Sequence, residues 1–300
     1  MSASPPIALI TGASTGIGAT YADRLAGRGY DLIINARDSV KLQERAVELA
    51  DRHGSTVEIL VADLSNPTGV DAVVRRIERG DVNLLVNNAG VAVAGPLVDM
   101  SPQELDAMLQ LNMISAARVA QAAAKTMVAK GRGEIINIAS IAALTAERPG
   151  VSIGYSATKA FLLAFSEGLD LELGNKGVFV QAVLPGITRT PIWGKSGIDL
   201  EPLSDRAMSV EDMVDAALAG FDQREHVTIP ALADAGLWEN FQTHRRALYP
   251  HLSLREPARR YGVAPLTTAK VGVRDRGHVV ATAGGISMGG LIADLADGDA

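Results

Sequence analysis

The chain alternates between two hydrophobic periods. Short, nearly continuous apolar runs rich in β-branched residues fall at 7–11, 31–35, 57–62, 84–87, 134–139 and 178–184. Such runs predict parallel strands covered on both faces, because a strand covered on one face only would alternate apolar with polar residues. Between them, apolar positions recur at helical spacing over 17–28, 40–52, 69–79, 102–129, 154–175 and 210–221. The helix near 102 has a start signal: Ser101 suits the N-cap, Pro102 the first helical position, and Glu104 completes a capping box. Ser209 ahead of Val210-Glu211-Asp212 starts another in a similar way. A last strand is predicted at 226–229, stopping before Pro230.

Strict β-α-β alternation predicts an α/β fold: a Rossmann-type, doubly wound parallel sheet with helices on both faces, in a single domain. No Pro/Gly/Ser-rich linker, internal repeat or charge block interrupts the chain before residue 262, so one domain is expected over 5–262. Residues 263–300 are Gly/Ala-rich with no sustained period, which reads as a flexible tail, with an arm reaching a partner subunit or non-native sequence as the alternatives.

Composition narrows the class further. Of the 300 residues, 47% are hydrophobic and 21% charged, as in an ordinary globular protein. A net charge of −6 with scattered basic residues argues against a nucleic-acid partner or an acidic membrane. With no cysteine there is no disulfide framework and no thiolate metal site, and the histidines show no metal-ligand pairing. No metal is therefore expected. No signal peptide is visible, and the apolar stretch at 279–293 is shorter than the ~20 residues a spanning helix needs. A cytoplasmic location is the expectation.

The first strand runs straight into Thr11-Gly12-Ala13-Ser14-Thr15-Gly16-Ile17-Gly18, with a helix to follow. Glycines let the backbone turn tightly and approach a ligand, and the helix N-terminus offers free N–H groups to a pyrophosphate. A ligand-free Gly-rich turn is the alternative. In dinucleotide folds, an acid about 20 residues past the glycines holds the ribose 2′-OH of NAD, whereas an arginine suits a 2′-phosphate. Here Asn35 and Ala36 stand about where that acid would be, and Arg37 follows. A guanidinium pairs well with phosphate, so NADP(H) is favoured over NAD(H), although Asp38 keeps NAD in play.

Tyr155 and Lys159 lie four residues apart, on one face of the predicted helix. An ammonium beside a phenol favours the phenolate, which predicts a Tyr155 pKa lowered from about 10 toward neutrality. Such a tyrosine moves protons near neutral pH. The bland alternative is a solvated helix face.

With these segments in place, the chain resembles the classical short-chain dehydrogenase/reductase family over residues 5 to about 230. The loop from Gly12 through Ser14, Thr15, Gly16, Ile17 and Gly18 resembles its cofactor loop. Asp63-Leu64 resembles its adenine-contacting acid, and Asn88-Ala89-Gly90, after Asn87, its motif along the cofactor. Asn112 resembles the helix asparagine of its proton relay, Ser140 its catalytic serine, and Tyr155 with Lys159 its active-site pair. Pro185-Gly186-Ile187-Thr188-Arg189-Thr190 resembles its segment beside the nicotinamide, with Thr190 at the carboxamide. One departure is the fifteen-residue step from Ser140 to Tyr155, a few residues longer than usual, with the extra length in 142–150 near the expected substrate mouth.

The resemblance implies an oxidoreductase interconverting a ketone or aldehyde and its alcohol. Tyr155 would be the general acid/base, and Lys159 would lower its pKa and bond the ribose. Ser140 would hydrogen-bond the substrate oxygen, and Asn112 would hold a relay water. It also implies a small-molecule substrate, a homodimer or homotetramer built on the helices at 102–129 and 154–175, and a lid at 192–208 in which Trp193 shapes the pocket. A plain N-cap role for Asp63 and a non-catalytic NADP-binding sensor on the same fold are the competing expectations.

Overall fold

The computed structural model describes residues 4–148, 152–196 and 201–263. The expected tail, the tip of the 142–150 loop and part of the 192–208 segment lie outside these residues. Seven strands form one parallel sheet: β1 Ile7–Thr11, β2 Asp31–Ala36, β3 Val57–Val61, β4 Val82–Asn87, β5 Gly133–Ile138, β6 Val178–Val183 and β7 Val227–Thr228. Their order is β3-β2-β1-β4-β5-β6-β7. The order reverses between β1 and β4, so a crevice opens at the carboxyl ends of those two strands, where open α/β sheets bind ligands.

The helices are α1 Gly16–Gly27, α2 Ser39–His53, α3 Pro67–Ile77, α4 Pro102–Leu109, α5 Ala116–Lys130, α6 Ile153–Leu173, α7 Ile192–Ser196, α8 Val210–Asp222 and α9 Ala235–Arg246. On one face of the sheet, Tyr21 and Leu25 of α1, Leu42 and Leu49 of α2 and Val214 and Leu218 of α8 bury against Ile10, Ile34 and Val183. On the other, Val73 and Ile77 of α3 and Val119 and Met127 of α5 bury against Leu9, Leu85 and Ile135. Side chains alternate along each strand, so a strand inside the sheet feeds both cores.

The expected caps form. Ser101 and Glu104 make the full capping box of α4, and Ser209 accepts the Asp212 N–H at 2.9 Å. The stretch expected as one helix over 102–129 is interrupted. Gln110–Ser115 winds as a π-helix between α4 and α5. The Ser115 hydroxyl lies 2.6 Å from Leu64 O and 2.8 Å from Gln110 O, which draws the backbone out of α-helical register. Such widened turns occur frequently at functional sites.

Packing divides the chain into a compact unit up to Asp234 and a second from Ala235; the expected 5–262 domain spans both. In the second unit, Trp238 and Phe241 stack along α9 with ring centroids 5.3 Å apart. Among the described residues, no helix is long and apolar enough to cross a membrane.

Candidate active site

The β1–α1 loop depends on glycine at two positive-φ positions, Gly12 at 68° and Gly16 at 58°, which side chains rarely tolerate. A Cβ on Gly18 would run into Gly12 O and Asn88 Nδ2, so this glycine is needed for close approach of the backbones. The loop is stitched to the end of β4. The buried Thr11 hydroxyl accepts from Asn88 N at 2.9 Å and Ala89 N at 3.0 Å, and Asn88 Nδ2 donates to Thr11 O at 2.8 Å. Ser14, Thr15, Gly16 and Ile17 remain half-buried at the crevice. Thr15 caps α1 in an extended conformation without a side-chain hydrogen bond, and no acid sits in the first turn. The helix therefore presents uncapped N–H groups and its positive end, the arrangement a pyrophosphate needs. A cleft of about 550 Å³ opens on the outer side of this helix, but its Arg24, Arg45 and Arg52 are already paired with Asp23, Asp215 and Glu48.

At the end of β2, Asn35 is buried and donates to Leu60 O at 2.9 Å and Ala62 O at 3.1 Å, so its side chain is engaged with β3. Asp38 caps α2, accepting from Lys41 N at 3.1 Å. That backbone N–H, with the Lys41 side chain behind it, holds the carboxyl below the usual range. Arg37 between them is exposed, with no hydrogen bond or ion pair among the described residues. Asp63 is not the cap of the next helix. It accepts from Ser65 N at 2.9 Å and Ser65 Oγ at 2.8 Å, and Asn66 caps α3. Leu64 is buried beside it, and its carbonyl receives the Ser115 hydroxyl.

The π-helical turn delivers Asn112 inward. Its carboxamide clamps Val91, accepting from the N–H and donating to the C=O, both at 2.9 Å, and also donates to Thr158 Oγ1 at 3.1 Å. A Cβ on Gly90 would lie 3.2 Å from Asn112 Oδ1 and 3.7 Å from Lys159 Nζ. Gly90, Asn112 and Lys159 thus converge.

Ser140 follows β5. Its oxygen accepts from Ala142 N at 3.1 Å, its hydroxyl reaches Pro185 O at 3.5 Å, and the side chain lies near enough to the Tyr155 phenol to favour the phenolate. Lys159 is buried, donates to Ile138 O at 2.8 Å, and stands 5.6 Å from the centroid of the Tyr155 ring. Thr158 Oγ1 donates to Tyr155 O at 2.7 Å, tying the tyrosine's turn to Asn112.

The expected direction of the Tyr155 pKa is corrected here. Burial pushes the phenol up to about 12, and the nearby Ser140 hydroxyl opposes this only in part. Burial also brings the Lys159 ammonium down to about 8. The lysine points its protons at a backbone carbonyl, so the helix spacing alone does not make the tyrosine acidic.

The segment from Pro185 returns to the glycine loop. Pro185 is buried and Gly186 half-buried; the Thr188 hydroxyl donates to Gly186 O at 3.1 Å. Trp193 Nε1 donates to Thr188 O at 2.6 Å. Thr190 closes on the loop, with its Cβ 3.5 Å from where a Cβ on Gly16 would be. The structure thus gathers the Gly12–Gly18 loop, Asn88–Gly90 and Thr190 around the crevice, and Asn112, Ser140, Tyr155 and Lys159 beside them. Arg37 and Asp63 stand apart, at the ends of β2 and β3. Sequence reasoning passed over the Thr158 hydroxyl and the Ile138 carbonyl. The first had a signal, a hydroxyl residue directly before Lys159; the second, a backbone atom, had none.

A family model described as short chain dehydrogenase matches residues 6–200. An uncharacterised oxidoreductase of Staphylococcus saprophyticus is 30% identical over 225 residues, 74% of this chain and 94% of that protein. Among solved structures, a short-chain dehydrogenase from Sphingobium yanoikuyae in complex with NADPH matches with a TM-score of 0.82 and 44% identity, covering 84% of this chain and 98% of its own. A bulky-bulky ketone specific alcohol dehydrogenase from Comamonas testosteroni matches with a TM-score of 0.79 and 39% identity, covering 86% and 99%. L-sorbose reductase from Gluconobacter frateurii, complexed with NADPH and L-sorbose, matches with a TM-score of 0.67 and 29% identity, covering 75% and 95%. The chain belongs to the short-chain dehydrogenase family and is an oxidoreductase acting on a CH–OH/C=O pair.

Proposed function

We propose that this protein is an NADP(H)-dependent oxidoreductase that interconverts a ketone or aldehyde and the corresponding alcohol, with Tyr155 as general acid/base. The observation that carries this reading is the clustering of Tyr155 with the buried Lys159 ammonium, 5.6 Å from its ring centroid, and with the Ser140 side chain, which acts on its phenol. The uncapped start of α1 and the glycine positions fit a dinucleotide: the loop from Gly12 to Gly18 would hold the pyrophosphate, Asp63 and Leu64 the adenine, and Asn88, Ala89, Gly90, Pro185, Gly186, Thr188 and Thr190 the nicotinamide half. Arg37, without a partner among the described residues, supports the 2′-phosphate form, and Asp38, committed to capping α2, offers little to a free 2′-hydroxyl. NADP(H) supplies or accepts the hydride.

The chain's own residues manage the proton and the charge. With a pKa near 12, Tyr155 is protonated at neutral pH and ready to donate to the carbonyl oxygen during reduction. Ser140 hydrogen-bonds the same oxygen where negative charge develops. The Lys159 ammonium stabilises the phenolate left behind, and Asn112, its carboxamide held by Val91 and Thr158, fixes the backbone beside Lys159 where a relay water would reload the proton.

The substrate is a small molecule, and the 39% identical neighbour makes bulky ketones the first candidates. We also infer a homodimer or homotetramer. Ile114 is 50% exposed beside α5, and Ile153 and Leu171 on α6 are 56% and 86% exposed, an apolar surface that a second copy would cover. The cytoplasm is the expected compartment. The test is a panel of bulky and small ketones, aldehydes and secondary alcohols, followed by NADPH absorbance, with NADH beside it. Turnover with NADPH preferred supports the reading; tight cofactor binding with no turnover across the panel would overturn it.

A further inference from the structure

We propose that Asn137 is a positioning residue for the proton-transfer helix, acting through a buried hydrogen-bond ladder that crosses the sheet; the inference rests on the catalytic reading above. Asn87 Nδ2 donates to Ala116 O at 2.8 Å and to Asn137 Oδ1 at 3.1 Å. Asn137 Nδ2 donates to Ser166 Oγ at 2.9 Å, and Ser166 Oγ donates to Leu162 O at 2.7 Å. Asn87, Asn137 and Ser166 are 3%, 0% and 2% exposed, so no water substitutes for a lost partner.

Each rung sits beside a site residue. Ala116 opens α5 directly after the π-helical turn that carries Asn112. Asn87 ends β4 immediately before Asn88 and Gly90. Asn137 precedes Ile138, whose carbonyl receives Lys159, and lies three residues before Ser140. Ser166 is two turns beyond Lys159 on the same buried face of α6. Consecutive residues of β5 therefore grip α6 at two heights, Ile138 through its carbonyl and Asn137 through its carboxamide.

Stability alone does not explain the ladder. Replacing all partners of a buried polar group by apolar ones of the same shape is nearly neutral, so Val or Leu could fill these positions. Apolar contact is non-directional and leaves a helix free to settle along a sheet, whereas hydrogen bonds demand short distances and near-linear angles. A one-residue slip of α6 would move Tyr155 by about 1.5 Å and turn it by about 100°. Reacting groups must be held within about 0.5 Å, and a misplacement of about 1 Å costs about 100-fold in rate.

The opposite face of the sheet provides a control. Gln181 of β6 is fully buried and donates to Ala217 O at 3.0 Å and Thr228 Oγ1 at 2.8 Å, linking α8 and β7, neither of which carries a site residue. The full chain is compared with Asn137→Leu, Ser166→Ala, Asn137→Leu/Ser166→Ala and Gln181→Leu. The measurements are kcat and KM for the best carbonyl of the panel, NADPH binding by fluorescence, the thermal midpoint, and amide hydrogen exchange. Asn137→Leu and Ser166→Ala are expected to lower kcat by about 10- to 100-fold, with KM and NADPH affinity within about threefold, and to speed exchange across 153–166. The double variant, which removes the mismatch between residues 137 and 166 but leaves Asn87 without its Asn137 acceptor, is expected to regain part of the thermal stability without regaining kcat. Gln181→Leu is expected to lower the thermal midpoint comparably, keep kcat within about twofold and leave exchange in α6 unchanged. Ser166→Ala, which removes one atom, keeps the test open if the leucine variant does not fold. Ladder variants that retain kcat, or a Gln181 variant that loses it in step with stability, would overturn the proposal. If the parent chain turns over no carbonyl, the catalytic reading has failed, and exchange still decides whether Asn137 registers α6.

Discussion

The two faces of the sheet are built by different rules. Under α1, α2 and α8 the core is apolar through most of its depth, and ion pairs such as Arg24–Asp215 and Arg28–Asp222 lie at the solvent edge. Under α5 and α6 the core is threaded by buried polar groups: Asn87, Asn112, Asn137, Thr158, Lys159 and Ser166. The first face supplies cohesion, which tolerates small shifts. The second gives up some cohesion for direction, because each buried amide or hydroxyl holds only while its partner stays in place. The proposed proton-transfer residues belong to the second face.

That contrast can be broken by experiment. The largest effect is expected from Tyr155→Phe, which keeps the ring and removes the proton: kcat falls by about 100- to 10,000-fold while NADPH affinity, read by fluorescence, is unchanged. Intact turnover would remove the polar face from the mechanism. On the apolar face, Leu25→Ala is expected to cost about 2–5 kcal/mol of stability in urea unfolding, with kcat per folded molecule preserved. A lost kcat there would erase the distinction between the faces. Arg37→Ala is expected to weaken NADPH binding by about 10- to 100-fold and leave NADH nearly unaffected, since a charge-assisted bond contributes about 1.5–3 kcal/mol. Equal losses for both cofactors would reject the 2′-phosphate role.

The pH profile is expected to change more gently. The Lys159 ammonium is charged below its pKa of about 8 and supports the phenolate formed when Tyr155 gives up its proton. Reductive kcat should therefore hold below that value and decline above it, while alcohol oxidation, which needs Tyr155 to accept a proton, should rise with pH. A flat reductive profile through pH 9 would detach Lys159 from this role. The smallest effect belongs to Arg28→Ala, whose exposed partnership with Asp222 contributes under about 1 kcal/mol.

Much of the scaffold was legible one segment at a time. The β-branched runs became the parallel strands within a residue or two at most ends, and Ser101-Pro102-Glu104 became a capping box, because both depend on neighbours in the chain. The interruption at Gln110–Ser115 was not legible. It is held by Ser115 reaching Leu64 O, fifty-one residues away in sequence. Asp63 and Asn66 compete for one cap, and only the path of the chain into α3 favours Asn66. The spacing of Tyr155 and Lys159 was correct as geometry and misleading as electrostatics, because burial raises the phenol while the lysine turns its protons to Ile138 O.

By itself, then, the sequence determined the α/β alternation, the glycine loop and the set of polar residues available for chemistry, all properties of local spacing. The tertiary structure decided how deeply Tyr155 and Lys159 are buried, that Asn112 clamps Val91, and that Asn137 meets Ser166. Burial and long-range hydrogen bonds depend on which segments pack together, and desolvation at those contacts sets the protonation energies that local spacing cannot encode.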